Sequence, residues 1–256
     1  MRTAQAVRSA NGSGHAVQVT LEELAAIPTP QNTATWTPIP HIEVVNTIRS
    51  VVLDRKWKIV GGNDAFKVVV SNGGVRMFGT VAVKVPDISD SEFGLMLGFR
   101  QGHDKMMALR MAFGEHVFVC SNMVFNGDIV VRREHTRFIS VTETIDKAIT
   151  AFQPKFIEMI EMAHVLQKKE ISAEMGDSLL VRTVEAGALP LANLLPARKH
   201  WLSAINGDCK DIEHAQSVWG VKQAVTSEFK GMSRFGLLER SKLLGTVINE
   251  VMSRTN

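Results

Sequence analysis

Tyrosine is absent from this chain of 256 residues, and cysteine occurs only twice, at Cys120 and Cys209. The first absence removes phenolic acid–base chemistry and one common base-stacking side chain. The second leaves no Cys-x-x-Cys pair, which excludes a zinc ribbon and a thioredoxin-type redox motif. Two thiols so far apart in sequence fit a reducing cytoplasm. No apolar run reaches the roughly 18 residues of a membrane span, and the opening stretch MRTAQAVRSANGSGHAVQ lacks the apolar centre of a signal peptide. A large charge excess is missing too. The net charge is +3 with 21% charged residues, which is not the composition of a histone-like binder. P-loop, helix-turn-helix and aromatic RNP-like signatures do not occur.

What is present is a hydrophobic fraction of 45%, enough for the core of one large or two small domains. The basic excess is confined to the first half. Residues 1–140 carry 15 Lys and Arg against 12 Asp and Glu, whereas residues 141–256 carry 14 against 14. Residues 1–37 read as a disordered arm, a short helix and a linker; within them Thr20 and Glu23 have capping-box spacing. Residues 38–140 read as an α+β core. Ile42, Val45, Ile48, Val52 and Leu53 mark one helix face over 40–54. KWKIV, FKVVVS and VRMFGTVAVKV then read as strands, the last two joined by a tight turn at Asn72-Gly73-Gly74. FGLMLGFR is apolar on both faces and reads as a central strand. DKMMALRMAF reads as a helix stopped by Gly114, and HVFVCSN and DIVVRREHTRF as two more strands. Residues 141–256 read as helical. Ile145, Ile149, Phe152, Phe156, Met159, Ala163 and Leu166 make a heptad seam over 142–169, with Pro154 expected to kink or split it. That seam packs on its own domain or supports a homo-oligomer. Further helices are expected at ISAEMGDSLLVRTVEAG, at ARKHWLSAI, over 212–229 and over LLERSKLLGTVINEVMSR. The fold class is therefore α+β: an antiparallel sheet with packed helices, then a mainly helical region on the same core.

The chemistry-bearing residues concentrate between Phe99 and Phe138. Three sets of candidates arise there. His103, His116, Cys120 and His135 offer nitrogen and sulfur ligands, but no pair has the spacing of a zinc turn, so no metal or other cofactor is expected. Cys120 with His116 or His135 as base would make a nucleophile, yet its apolar strand setting raises a thiol pKa, so no catalytic residue is assigned. Cys209, beside Asp208 and Lys210, reads as an exposed loop residue. Arg100, Lys105, Arg110, Arg132, Arg133, His135 and Arg137 form the third set, an anion or nucleic-acid surface. On a strand Arg133, His135 and Arg137 share a face at about 6.6 Å intervals, near the phosphate repeat of a nucleic acid. Against it stands an ordinary solvated strand face. Asp104 reads as the N-cap of the helix after Gly102, and Trp219 as a packing anchor. A second arrangement of the same region would line a ligand cleft with His103, Asp104, Asn122 and His135.

GHDKMMALRMAFGEHVFVCSNMVFNGDIVVRREHT resembles the central motif of DUF932, a family of phage- and plasmid-borne proteins. Asp104, Lys105, Gly114, Val117, Phe118, Val119, Cys120, Asn122, Phe125, Arg133, His135 and Thr136 carry the likeness. It extends to PHIEVVNTIRSVVLDRKWKI, GGVRMFGTVAV and the WGVKQAVT run from Trp219 to Thr226, roughly residues 38–230. Gln101-Gly102 stands where the family has Asn-Ser, and Gln223 where it has Asn. The resemblance implies a mobile-element origin and a cytoplasmic address, and it carries no activity with it. The expectation is a non-enzymatic nucleic-acid-binding protein, single strands included, serving replication, recombination or counter-defence. A small-ligand binder or hydrolase using the cleft, and an inhibitor of a host factor acting through the helical seam, are the alternatives.

Overall fold

Among the described residues, alternating and doubly apolar segments of the first half become seven strands of one antiparallel sheet: β1 (Val17–Val19), β2 (Lys58–Val60), β3 (Lys67–Ser71), β4 (Arg76–Lys84), β5 (Phe93–Gly102), β6 (Leu109–Val117) and β7 (Ile129–Arg133). Their order is β1-β3-β4-β5-β6-β7, with β2 pairing β4 beside that path. The helices are α1 (Leu21–Ala25), α2 (His41–Asp54), α3 (Val141–Lys168), α4 (Ala173–Glu185), α5 (Leu194–Ile205), α6 (Val218–Glu228) and α7 (Leu237–Arg254). This computed structural model describes residues 16–71, 73–86, 93–117, 129–133, 140–232 and 236–254. Among them no helix is long and apolar enough to cross a membrane. The chain packs as two units. One is Met1–Ser89, Leu95–Phe113 and Ile129–Gln153; the other is Asp90–Gly94, Gly114–Asp128 and Pro154–Asn256.

In the first unit the Thr20–Glu23 capping box forms, each side chain accepting from the other residue's backbone N–H at 3.1 and 2.9 Å. Helix α2 buries Val44, Val45, Ile48, Val51 and Val52, a stripe at three- and four-residue spacing. Gly73 and Gly74 take φ of +63° and +89° at the β3–β4 turn, the positive region that only glycine enters without strain. Strand β5 is buried along its whole length, as its two-sided apolar pattern requires. The Phe99 ring lies across Gly79 on β4, where a Cβ would stand 2.2 Å from it. Phe113 stacks on Phe152 at 4.3 Å, and Arg55 at the end of α2 donates to Asp146 and Thr150 on α3.

The second unit is centred on α6, in which every residue from Val218 to Thr226 is buried. Trp219 meets Phe93 edge-on at 5.4 Å, confirming its role as an anchor. The Trp201 ring of α5 covers Gly176 of α4. Arg198 grips Asp177 through two bonds of 2.6 and 2.8 Å, and that donation holds the Asp177 carboxyl below its ordinary pKa.

Several expected elements fall differently. Residues 104–113 are not helical: a turn over 103–108 leads into β6, and Gly114 lies inside that strand. Leu109, Met111, Ala112 and Phe113 are all buried, and pairing with β7 prevails over the helical spacing that also fits these positions. The strand expected at HVFVCSN overlaps β6 only through Val117, and 118–128 lie outside the described residues. Helix α3 is not split at Pro154, which lies inside it. Helix α6 begins at Val218, later than expected, behind a Ser217 cap whose Oγ accepts from Gly220 N. Strand β1 was not anticipated; three residues carry too little pattern.

Candidate nucleic-acid interface

The turn between β5 and β6 is built from Gly102 to Met107. Gly102 N donates to Met107 O at 3.2 Å and closes it. Asp104 Oδ1 accepts from Met106 N at 3.1 Å, and its Oδ2 accepts from Arg76 Nε at 2.7 Å. Asp104 therefore secures a turn, not a helix N-terminus, and ties it to the start of β4. Lys105 takes φ of +59°, a left-handed backbone that costs a non-glycine residue roughly 1 kcal/mol or more. Its ammonium lies over the Trp36 ring at 5.2 Å, a cation–π contact. Trp36 is itself fixed by a small turn in which Thr33 Oγ1 accepts from Trp36 N.

Beneath this turn lies a buried polar cluster. Ile39 O accepts from Gln101 Nε2 at 3.0 Å and from His103 Nε2 at 2.8 Å. The same Gln101 amide donates to His41 Nδ1 at 2.9 Å, and His41 Nε2 donates to Gly74 O at 2.9 Å. The two imidazoles stack at 3.9 Å, nearly parallel. Burial lowers the His103 pKa, outweighing the Ile39 carbonyl and the Asp104 charge, which act to raise it. The cluster joins the segment before α2 to the ends of β4 and β5.

The expected site residues separate into distinct environments. Lys105 is exposed at the turn. Arg100 is 7% exposed on β5 opposite Phe78, which removes it from an open surface, because a central strand is covered on both faces. Arg110 is directly opposite Arg132 across β6 and β7, and Leu109 is opposite Arg133. Neighbouring residues of a strand point to opposite faces. Positions 110 and 132 thus share one face, and position 133 shares the other with Leu109, which is fully buried. The expected stripe of Arg133, His135 and Arg137 is described only at Arg133; His135 and Arg137 lie outside the described residues. Of the expected cleft, His103 binds the Ile39 carbonyl and Asp104 binds Arg76, while Asn122 and His135 are outside the described residues. Of the expected ligand set, His116 lies on β6, and Cys120 falls outside the described residues. The seam residues of α3, from Ile145 to Leu166, are all buried. An oligomer through this helix would have to use another face, where Ile157, Met162 and Val165 are exposed.

Sequence reasoning missed Trp36, Arg76 and His41, whose roles arise from partners far away in the chain. It also passed over a cluster in the second unit, His200, Cys209 and Asp211. No protein-family profile, curated protein or solved structure matches the chain.

Proposed function

We propose that this is a nucleic-acid-binding protein without catalytic activity, which holds a single strand at the end of the sheet where Trp36, Arg76, Lys105, Arg110 and Arg132 are placed. The observation that carries the reading is the Lys105–Trp36 pair. It presents a cation and an aromatic ring together on a turn that the buried His41–Gln101–His103 cluster holds in place. Phosphate attraction with base stacking is the usual means of holding single strands without sequence preference. Arg76 and the Arg110–Arg132 pair come from strands that reach the same end of the sheet. The DUF932-like motif adds a setting to this reading: a cytoplasmic protein of a phage or plasmid, acting in replication, recombination or counter-defence.

The test is binding of labelled single-stranded DNA and RNA across a salt series. Wild type should bind with an affinity that falls as salt rises. Lys105→Glu and Arg132→Glu should each lower the salt slope by about 1. Trp36→Ala should weaken binding by about 1–3 kcal/mol if a base stacks there. Lack of binding at low salt, or unchanged binding in Lys105→Glu combined with Arg132→Glu, would refute the proposal.

A further inference from the structure

We propose that His200, Cys209 and Asp211 form a mononuclear site for a zinc-class divalent cation, independent of the nucleic-acid reading. The three side chains present an imidazole nitrogen, a sulfur and a carboxylate oxygen, all within 4.8 Å of one another. His200 stands on α5. That helix ends at Asn206-Gly207, where Gly207 takes φ of +82° and Asp208 N returns to Ser203 O at 2.9 Å. The reversal brings Cys209 and Asp211 back beside His200. The loop is held farther along, where Trp201 Nε1 donates to Ala215 O at 2.7 Å.

The contacts of His200 are those of an oriented metal ligand. Its Nδ1 lies 2.9 Å from Ser227 Oγ, which also bonds Ala224 O at 2.7 Å, and its Nε2 faces both oxygens of Asp211 at 2.9 and 3.1 Å. With the proton on Nδ1, Nε2 and Asp211 present lone pairs to the same point, where a cation or a second proton joins them. Asp211 Oδ1 is approached at the same time by Cys209 Sγ. A thiolate and a carboxylate with a neutral imidazole carry two negative charges, which one divalent ion neutralises. Donors of these three kinds suit zinc, and Ser227 supplies the outer hydrogen bond that orients a metal-bound histidine. Tetrahedral zinc with bonds of about 2.0–2.3 Å separates its ligands by roughly 3–4 Å, so only small movements are needed. Asp211 is exposed and the other two are half-buried, which leaves room for water as a fourth ligand.

A nucleophilic cysteine fits less well. The Cys209 thiol is directed at the Asp211 carboxylate, and the two His200 nitrogens are directed at Ser227 and Asp211 rather than at the sulfur, so the arrangement does not pair the thiol with a base.

The experiment titrates Co²⁺ and Zn²⁺ into the reduced, chelator-treated chain of 256 residues. One equivalent of Co²⁺ should give a thiolate-to-cobalt charge-transfer band and the intense visible bands of a four-coordinate ion, both displaced by Zn²⁺. Cys209→Ser should lose the charge-transfer band while Cys120→Ser keeps it. Asp211→Asn and His200→Ala should each weaken zinc by at least about tenfold, and Ser227→Ala by about 10–100-fold. Asp211→Asn changes an exposed group and tests the site even if Cys209→Ser fails to fold. Absence of a charge-transfer band in wild type would overturn the proposal. So would a band that survives Cys209→Ser, or unchanged zinc affinity in Asp211→Asn.

Discussion

The same substitution, glycine to alanine within a helix, should have opposite signs at two positions of the second unit. At Gly245 of α7 a Cβ would meet nothing within 4 Å. Gly245→Ala should therefore stabilise by about 0.5–1 kcal/mol, the ordinary helix-propensity gain. At Gly176 of α4 the new Cβ would stand 1.8 Å from Trp201 Cη2 and about as close to two further ring atoms, at 2.4 and 2.5 Å. Carbon atoms rest at about 3.5–4.0 Å, so the ring must retreat by nearly 2 Å. Trp201 is fully buried, and its Nε1 is bonded to Ala215 O. Overpacking costs about 1–3 kcal/mol, and a buried donor pulled from its acceptor about 1–3 more. Against these stands the propensity gain of about 1 kcal/mol. The net expectation for Gly176→Ala is a loss on the order of 2–4 kcal/mol. Urea unfolding, followed by far-UV ellipticity and tryptophan fluorescence, reads both variants from their midpoints at constant slope. A Gly176→Ala protein as stable as wild type would refute the reasoning, because the ring would then have somewhere to go.

Further expectations can be checked on the same material. Thr20→Ala removes the Oγ1 that accepts from Glu23 N, one of the two capping-box bonds, and should cost about 1 kcal/mol locally, seen as faster amide exchange in α1. Gly79→Ala places a Cβ 2.2 Å from the Phe99 ring and should destabilise by at least about 1–3 kcal/mol, read from the urea midpoint. His103 has a folded pKa below its ordinary 6.5, so the unfolded chain binds the proton more readily. Its contribution to stability is complete above that value and is lost as pH falls below it toward the lowered one. His103→Gln should flatten this part of the stability–pH curve, and a curve unchanged from wild type would show that the group does not titrate on unfolding.

Where local chemistry decides the backbone, the sequence was readable. The β3–β4 turn follows from two glycines between alternating strands, and the capping box from Thr20 and Glu23. The α+β class followed from the change in period along the chain. The segment after Gly102 was misread because Met107, Leu109, Met111 and Phe113 satisfy a period of two while their neighbours also satisfy a helix. Pairing with β7 then decided the matter. The start of α6 was misread for a packing reason: Ala215 O must reach the Trp201 indole, and Gly220 lets that carbonyl come close, since a Cβ there would lie 2.2 Å from it. Lys105 was singled out on charge alone. The Trp36 ring that gives it a role is brought in by the fold, as is the His41 ring stacked on His103.

Two histidine clusters in one chain show what distinguishes a supporting group from a candidate site. Around His41 and His103 the donors and acceptors alternate. Ile39 O and Gly74 O take the imidazole protons, and the Gln101 amide supplies one to His41 Nδ1. These contacts form without any added ion, Gln101 Oε1 alone of the cluster's side-chain atoms being buried without a hydrogen-bond partner, and the cluster serves to hold a turn. Around His200 the arrangement differs. A ring nitrogen, a sulfur and a carboxylate lie within 4.8 Å of one another at one half-open point, and Ser227 and Asp211 orient the imidazole. A buried network bonded to backbone carbonyls is a structural device. One that is open to solvent and gathers three kinds of metal-ligating atom is arranged to receive a cation.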